Sequence, residues 1–290
     1  NKSFNQTILK EIEDIANSTL AEHGGLMSED NLIDELLSIP GSSEDNKAAI
    51  KFILNQLLSH RFSFAKETKQ SNGFWKTPEA NVDLFDDTID SIRSLIDGHG
   101  EALNLDELIE KIQEAEFYGT NNDLTDRVVI NFINVTKKLK SNPYEEWGLV
   151  EWASITPRRM NDKIYLVLQK KGKPMHFTNI ADIINQMNFD HRTAYPATIH
   201  NELILDKKYV LVGRGIYALK EWGYKPGVVA DVIADILNNS DKPLTKKEIT
   251  KEVFEKRMIK ETTITLALMN KDKFLRDEKG RYSLKVAKSE

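Results

Sequence analysis

The chain has 290 residues, 40 Lys and Arg against 45 Asp and Glu, a formal net charge of −5, and 40% apolar residues. These are values of a folded globular protein and exclude a disordered or collagen-like chain. Read as a single number, −5 argues against nucleic acid, because phosphate contact needs a positive surface. Cysteine is absent, which excludes disulfides, Cys-ligated zinc, iron–sulfur clusters and thiol catalysis. The longest apolar runs, Tyr209–Val212 and Ile264–Met269, fall far below the ~20 residues of a membrane span. No basic start with a hydrophobic stretch marks a signal peptide, so a cytoplasmic setting and no membrane partner are expected. The chain opens on Asn1 rather than Met, which leaves room for an upstream module.

In chain order, the pattern reads as four units. The first starts near Phe4, where Ile8, Ile12, Ile15 and Leu20 form a helical stripe. Ser28, with Glu29 and Asp30 behind it, opens a second helix carrying Leu32, Ile33, Leu36 and Leu37. Ile50, Ile53, Leu54, Leu57 and Leu58 form a third stripe, and Phe62-Ser63-Phe64 with Phe74-Trp75 flank a polar turn as in a hairpin. The second unit repeats this order: Leu84–Ile96, Leu105–Ile112, Leu124–Leu139, then Trp147–Trp152. The third spans Met160–Tyr224 and the fourth Val228–Val286. Pro and Gly punctuate the junctions at Thr77-Pro78, Thr156-Pro157 and Lys225-Pro226-Gly227.

Internal repetition supports that division. Trp147-Gly148-Leu149-Val150-Glu151-Trp152 aligns with Tyr217-Ala218-Leu219-Lys220-Glu221-Trp222 at an offset of 70. Tyr209/Phe274, Gly215/Gly280, Tyr217/Tyr282 and Leu219/Leu284 keep an offset of 65. Such periods exceed those of common solenoids and point to tandem small domains. Three helices followed by a hairpin is the winged form of the helix-turn-helix. The expected fold is therefore mainly α with small β-hairpin wings, in tandem winged helix-turn-helix domains at 1–78, 79–157, 158–225 and 226–290. So small a core must bury its hairpin aromatics, which makes Trp147, Trp152, Tyr217, Trp222 and Tyr282 core or wing anchors rather than base-stacking platforms.

The charge is divided along the chain. Residues 1–157 hold 14 basic and 28 acidic side chains, or −14; residues 158–290 hold 26 and 17, or +9. Opposite halves imply different partners.

The third unit carries three motifs: Lys173-Pro174-Met175-His176-Phe177, then Leu205-Asp206-Lys207-Lys208-Tyr209-Val210, then Leu219-Lys220-Glu221-Trp222. Together they resemble the HARE-type helix-turn-helix domain, found in the delta subunit of bacterial RNA polymerase, in chromatin-associated proteins and beside some restriction endonucleases. The tandem layout is also similar to that of bacterial sigma-factor-like proteins carrying such a domain, although no region-four helix-turn-helix is evident here. The resemblance is strong over about a quarter of the chain. It implies a non-catalytic, transcription-linked or other DNA-linked role, and leaves open whether the ligand is DNA or protein.

In a winged helix the third helix enters the major groove and the wing touches backbone or minor groove. For the third unit that helix is about Pro196–Leu205, with Ile199, Leu203 and Ile204 expected to face the core. Arg192, Thr193, Tyr195, Thr198, His200 and Asn201 are then candidate DNA contacts, or simply a solvated face. Lys207, Lys208 and Arg214, the last between Gly213 and Gly215, are candidate wing contacts or turn chemistry. For the fourth unit, Arg257 and Lys260 precede a helix near Glu261–Met269 whose polar positions include Thr262, Thr263 and Thr265. Lys271, Lys273, Arg276, Lys279 and Arg281 line its wing, and Lys246 and Lys247 open its second helix, where amides can hold phosphate. This denser basic set makes the fourth unit the expected place for phosphate contact. His176 reads as a structural hydrogen-bonder at a helix start, and the scattered histidines offer no metal spacing. Asp86-Asp87 and Glu145-Glu146 read as solvated acids, not a glycosidase pair. No cofactor, metal or catalytic set is expected. Partners are DNA for the C-terminal half and a protein, with RNA polymerase a candidate, for the N-terminal half. The alternatives are an interaction scaffold or polymerase-associated factor without DNA binding, or the specificity module of a nuclease.

Overall fold

Asn104 begins a helix because its side chain accepts the Glu107 N–H at 2.9 Å while Glu107 reaches back to the Asn104 N–H, a reciprocal cap. Thr125 and Asn81 cap helices one way, their side chains accepting the Val128 and Leu84 N–H, and Gly100 ends one with left-handed φ. Such local signals recur through the computed structural model, which describes residues 6–37, 46–224, 228–257 and 259–285. The expected boundaries at Phe4, Lys225-Pro226-Gly227 and Val286 lie outside the described residues.

The contacts divide the chain into Asn1–Thr156 and Pro157–Glu290. The first unit runs α1 (Gln6–Glu22), β1 (Leu26–Ser28), α2 (Glu29–Leu37), α3 (Lys47–Phe52) passing into a π-helical turn at Ile53–Leu57, β2 (Ser63–Ala65) and β3 (Phe74–Lys76). It continues with α4 (Val82–His99), β4 (Leu103–Asn104), α5 (Leu105–Gln113), α6 (Glu116–Gly119), α7 (Asp126–Val135), β5 (Leu139–Ser141) and β6 (Glu146–Leu149). The second unit runs α8 (Met160–Lys171), β7 (Met175–His176), α9 (Phe177–Met187), α10 (Pro196–Leu205), β8 (Tyr209–Gly213), β9 (Ile216–Leu219) and a short 3-10 turn at Lys220–Trp222. Then follow α11 (Val229–Asn238), β10 (Leu244–Thr245), α12 (Lys246–Lys256), α13 (Glu261–Leu268), β11 (Phe274–Arg276) and β12 (Arg281–Leu284).

The fold is mainly α with small antiparallel sheets, each of three strands where a two-stranded hairpin was expected. The strand orders are β1-β3-β2, β4-β6-β5, β7-β9-β8 and β10-β12-β11. The added strand precedes the second helix each time and pairs with the last strand. It is two or three residues long, too short to write an alternating pattern in sequence. His176 ends β7 and stands at the start of α9 as its N-cap, the structural hydrogen-bonder expected there. Leu139 belongs to β5, not to the preceding helix, which stops at Val135.

In Asn1–Thr156, one hydrophobic cluster gathers Ile12, Leu20, Leu32, Leu54 and Trp75. A second joins Leu26 and Phe74 to Phe85, Ile89, Ile92 and Phe132. The expected segments 1–78 and 79–157 therefore share a core. Asn131 reinforces it: its buried amide donates to the His23 carbonyl at 2.9 Å and the Leu26 carbonyl at 2.7 Å. The Asn72 N–H to Val135 and the Lys137 N–H to Gln70 add backbone links of 2.9 and 2.8 Å. In Pro157–Glu290, Ile164, Ile180, Ile199 and Tyr217 form one cluster, and Val232, Ile236, Ile249 and Ile264 another. Of the aromatic anchors, Tyr217 is buried, while Trp147, Trp152, Trp222 and Tyr282 are half-buried against these clusters. No described helix is long and apolar enough to cross a membrane.

Candidate nucleic-acid interface

The turn between α9 and α10 is fixed by side chains. Asn185 donates to the Ala194 carbonyl at 3.0 Å and accepts the Ala194 N–H at 2.7 Å, and Ala194 is buried. Asp190 accepts from the Lys163 ammonium at 2.6 Å and from the Arg192 N–H at 3.0 Å. Arg192, Thr193 and Tyr195 stand exposed around that anchored turn. The Lys163 hydrogen bond holds the Asp190 carboxyl below the usual carboxylate range, helped by the Arg192 N–H and by both charges against the opposing cost of burial.

Pro196 opens α10, where its missing N–H costs nothing. Ile199 and Leu203, four residues apart, share the buried face. Ile204 does not: one further step of about 100° turns it into solvent, 59% exposed, beside Leu205 at 80%. Thr198 and Asn201 also face out. His200 departs from expectation. Its ring stacks on Phe177 at 4.6 Å and meets the Tyr217 ring edge-on at 5.8 Å, so it is half-buried packing rather than an outward contact. His176 stacks on the same Phe177 at 4.5 Å, and its Nδ1 accepts the Thr178 N–H at 3.3 Å.

This aromatic ladder supports the β8–β9 turn. Gly215 sits there with φ +69, and a Cβ on it would lie 2.5 Å from His176 Nε2. Gly215→Ala is expected to cost about 1–3 kcal/mol, from left-handed strain and overpacking, in a urea titration followed by circular dichroism. Arg214 is exposed on the turn, as is Lys207 before β8. Lys208 is committed closer to home, with its ammonium 3.0 Å from Asn161 Oδ1 and 5.5 Å above the Tyr165 ring.

In the fourth segment three of the basic candidates are answered by acids. Lys246 pairs with Glu261 at 2.9 Å, Lys273 with Asp231 at 2.8 Å and Arg281 with Asp277 at 2.8 Å. Arg276 lies 5.8 Å over the Tyr282 ring. Lys247, Lys260, Lys271 and Lys279 are exposed, as are Thr262 and Thr263. Thr265 donates its hydroxyl to the Glu261 carbonyl at 3.0 Å. The start of α12, expected to hold phosphate, is taken by a reciprocal cap. Glu248 accepts from the Thr245 N–H and hydroxyl, each at 2.7 Å, which holds its carboxyl low. Arg257 precedes α13, as expected, but does not reach the surface. It is buried, and its Nη1 donates to the Leu211 carbonyl of β8. Residues 158–225 carry 12 basic against 6 acidic side chains, and 226–290 carry 14 against 11. The larger basic excess thus belongs to the third segment, not the fourth, because the denser cations of the fourth bring their own counter-ions.

In the acidic unit, Asp126 accepts from Gln113 and from the Tyr118 hydroxyl at 3.0 and 2.8 Å, and these bonds hold its carboxyl below the usual range. Asp86 and Asp87 are exposed. Glu145 is exposed with φ 61, while Glu146 accepts from Asn142 at 3.0 Å. Among the described residues no group of three or more His, Asp or Glu could hold a metal ion. The residues that sequence reasoning missed are Asn185, Asp190 and Lys163, which set the α9–α10 turn beneath the exposed candidates. No known protein-family model matches the chain, and no curated protein matches its sequence.

Proposed function

We propose that this chain is a non-enzymatic, transcription-associated DNA-binding protein of tandem winged helix-turn-helix segments. In this reading Pro157–Glu290 contacts duplex DNA and Asn1–Thr156 contacts protein, with RNA polymerase a candidate. The observation that carries it is the charge division: −14 in residues 1–157 against +9 in residues 158–290, at the boundary where the contacts also divide. The strand order, with the strand before the second helix paired to the last strand, supports the winged form. Arg192 precedes α10, Lys207 follows it, and Arg214 tops the adjoining turn, so exposed cations bracket a helix face bearing Thr198 and Asn201. Phosphate contacts position a protein on the duplex, and Asn is suited to an adenine edge. The solvent face of α10 holds no Lys or Arg, so affinity would come mainly from backbone phosphates.

A mobility-shift titration of the full chain on unrelated duplexes tests this. Replacing Arg192, Lys207 and Arg214 together with Ala should weaken binding roughly tenfold or more on every sequence, with an unchanged circular dichroism spectrum. Absence of a shift by the unaltered chain at low salt would refute the DNA assignment.

One observation favours a second reading, a protein scaffold without DNA binding. Ile204, Leu205, Leu266 and Met269 lie 59–80% exposed at the ends of α10 and α13, where a DNA-reading helix would present polar groups. Co-purification with polymerase core, without DNA affinity, would select this reading.

A further inference from the structure

A groove of about 1040 Å³ lies within Pro157–Glu290, between the β8–β9 turn and the segment joining α12 to α13. Leu211, Ile216, Val228, Phe254 and Ile259 line it. Three of these are large apolar side chains left open to water: Leu211 is 49% exposed, Phe254 47% and Val228 65%. Buried Arg257 braces the two walls, since it extends from the end of α12 to the Leu211 carbonyl of β8. Arg214 and Lys260 stand exposed on the lining, and among the described residues no Asp or Glu contributes to it.

We propose that this groove docks an acidic amphipathic segment of a partner protein. The apolar floor excludes a phosphate backbone, which needs hydration or paired cations throughout. It suits side chains presented one turn apart, at i, i+3 or i+4, as in helix-in-groove recognition. The cationic lining without a carboxylate selects the sign of the flanking residues. Apolar anchors provide the affinity, and complementary charge provides specificity and on-rate. The groove shares Arg214 with the DNA contact proposed above, but Phe254 and Leu211 have no part in that contact, so variants at these two residues leave DNA binding measurable.

The test uses the full chain and a fluorescein-labelled helical peptide of about 14 residues, with Leu and Phe at i, i+3, i+4 and i+7 and Glu elsewhere. Saturable binding by anisotropy is expected. Phe254→Ser should weaken it roughly tenfold, and Leu211→Gln, at an independent wall, should weaken it as well. A peptide with Lys in place of Glu, and one with the anchors scrambled, should each bind roughly tenfold more weakly. Both substituted residues are half exposed, so unchanged melting of the variants checks that the fold is kept. Equal binding by Phe254→Ser and the unaltered chain would overturn the proposal, as would equal binding of the scrambled peptide. Dimerisation of the chain that Phe254→Ser abolishes would give the groove to a second copy and also overturn it.

Discussion

Replacing Asp190 with Ala is expected to remove about 3–5 kcal/mol of stability from the Pro157–Glu290 unit. The Lys163 side chain is only 1% exposed and its ammonium sits 2.6 Å from the Asp190 carboxylate. Taking away the carboxylate leaves a buried cation without this partner, and leaves the Arg192 N–H without its acceptor at the start of the α9–α10 turn. A second change, Lys163→Met on the Asp190→Ala background, should recover part of the loss, because an apolar side chain of similar length needs no counter-ion. Urea unfolding followed by circular dichroism measures both. The pH dependence follows from the direction of the shift. The Asp190 carboxyl is held below its ordinary value in the folded chain. Its contribution is therefore complete above the unfolded value of about 3.9 and is lost as pH falls through the folded value. The gap between the unaltered chain and Asp190→Asn should stay constant from neutral pH to about 4 and narrow below that.

Phe132→Ala is expected to cost the Asn1–Thr156 unit about 3–5 kcal/mol. Phe132 is fully buried and meets the Phe85 ring edge-on at 5.2 Å. The cluster around it includes Leu26 and Phe74 from the earlier part of the chain. Gly24 closes over it: with φ +80, a Cβ there would stand 2.9 Å from Val128 and 3.0 Å from the Phe132 ring. So tight a site has little room to relax, which places the expected loss toward the upper part of that range. Because the cluster joins the two halves of this unit, the variant should unfold them in one transition. Separate unfolding of segments 1–78 and 79–157 in the unaltered chain, monitored by hydrogen exchange, would contradict the shared core.

What was legible in the sequence was whatever is written locally. Pro196 marked the start of α10, Glu29 and Asp30 the first turn of α2, and the periodic apolar residues of Val82–His99 the helix they form. What was not legible depended on contacts distant in sequence or on segments shorter than a period. Strands of two or three residues, such as Leu103–Asn104, have no room for alternation. Ile204 turns outward while Leu203 turns inward, and composition does not distinguish two adjacent apolar residues at a helix end. His200 was read as polar, yet the rings of Phe177 and Tyr217 claim it. Arg257 reads in sequence as a basic residue before a helix, but the carbonyl it reaches is 46 residues earlier in the chain. The same limit applied to the fourth segment, whose basic residues could be counted but whose pairing of Lys273 with Asp231 could not be seen.

The most direct test of the proposed function is the salt dependence of DNA affinity for the full chain. Each phosphate neutralised by Lys or Arg contributes a slope of about −0.9 to the logarithm of affinity against the logarithm of salt. Measured between about 50 and 200 mM salt, the unaltered chain should give a steep negative slope. The Arg192, Lys207 and Arg214 triple Ala variant should flatten it by about 0.9 for each residue that contacts a phosphate. A slope near zero, or one that the triple variant leaves unchanged, would contradict the placing of DNA on this half of the chain.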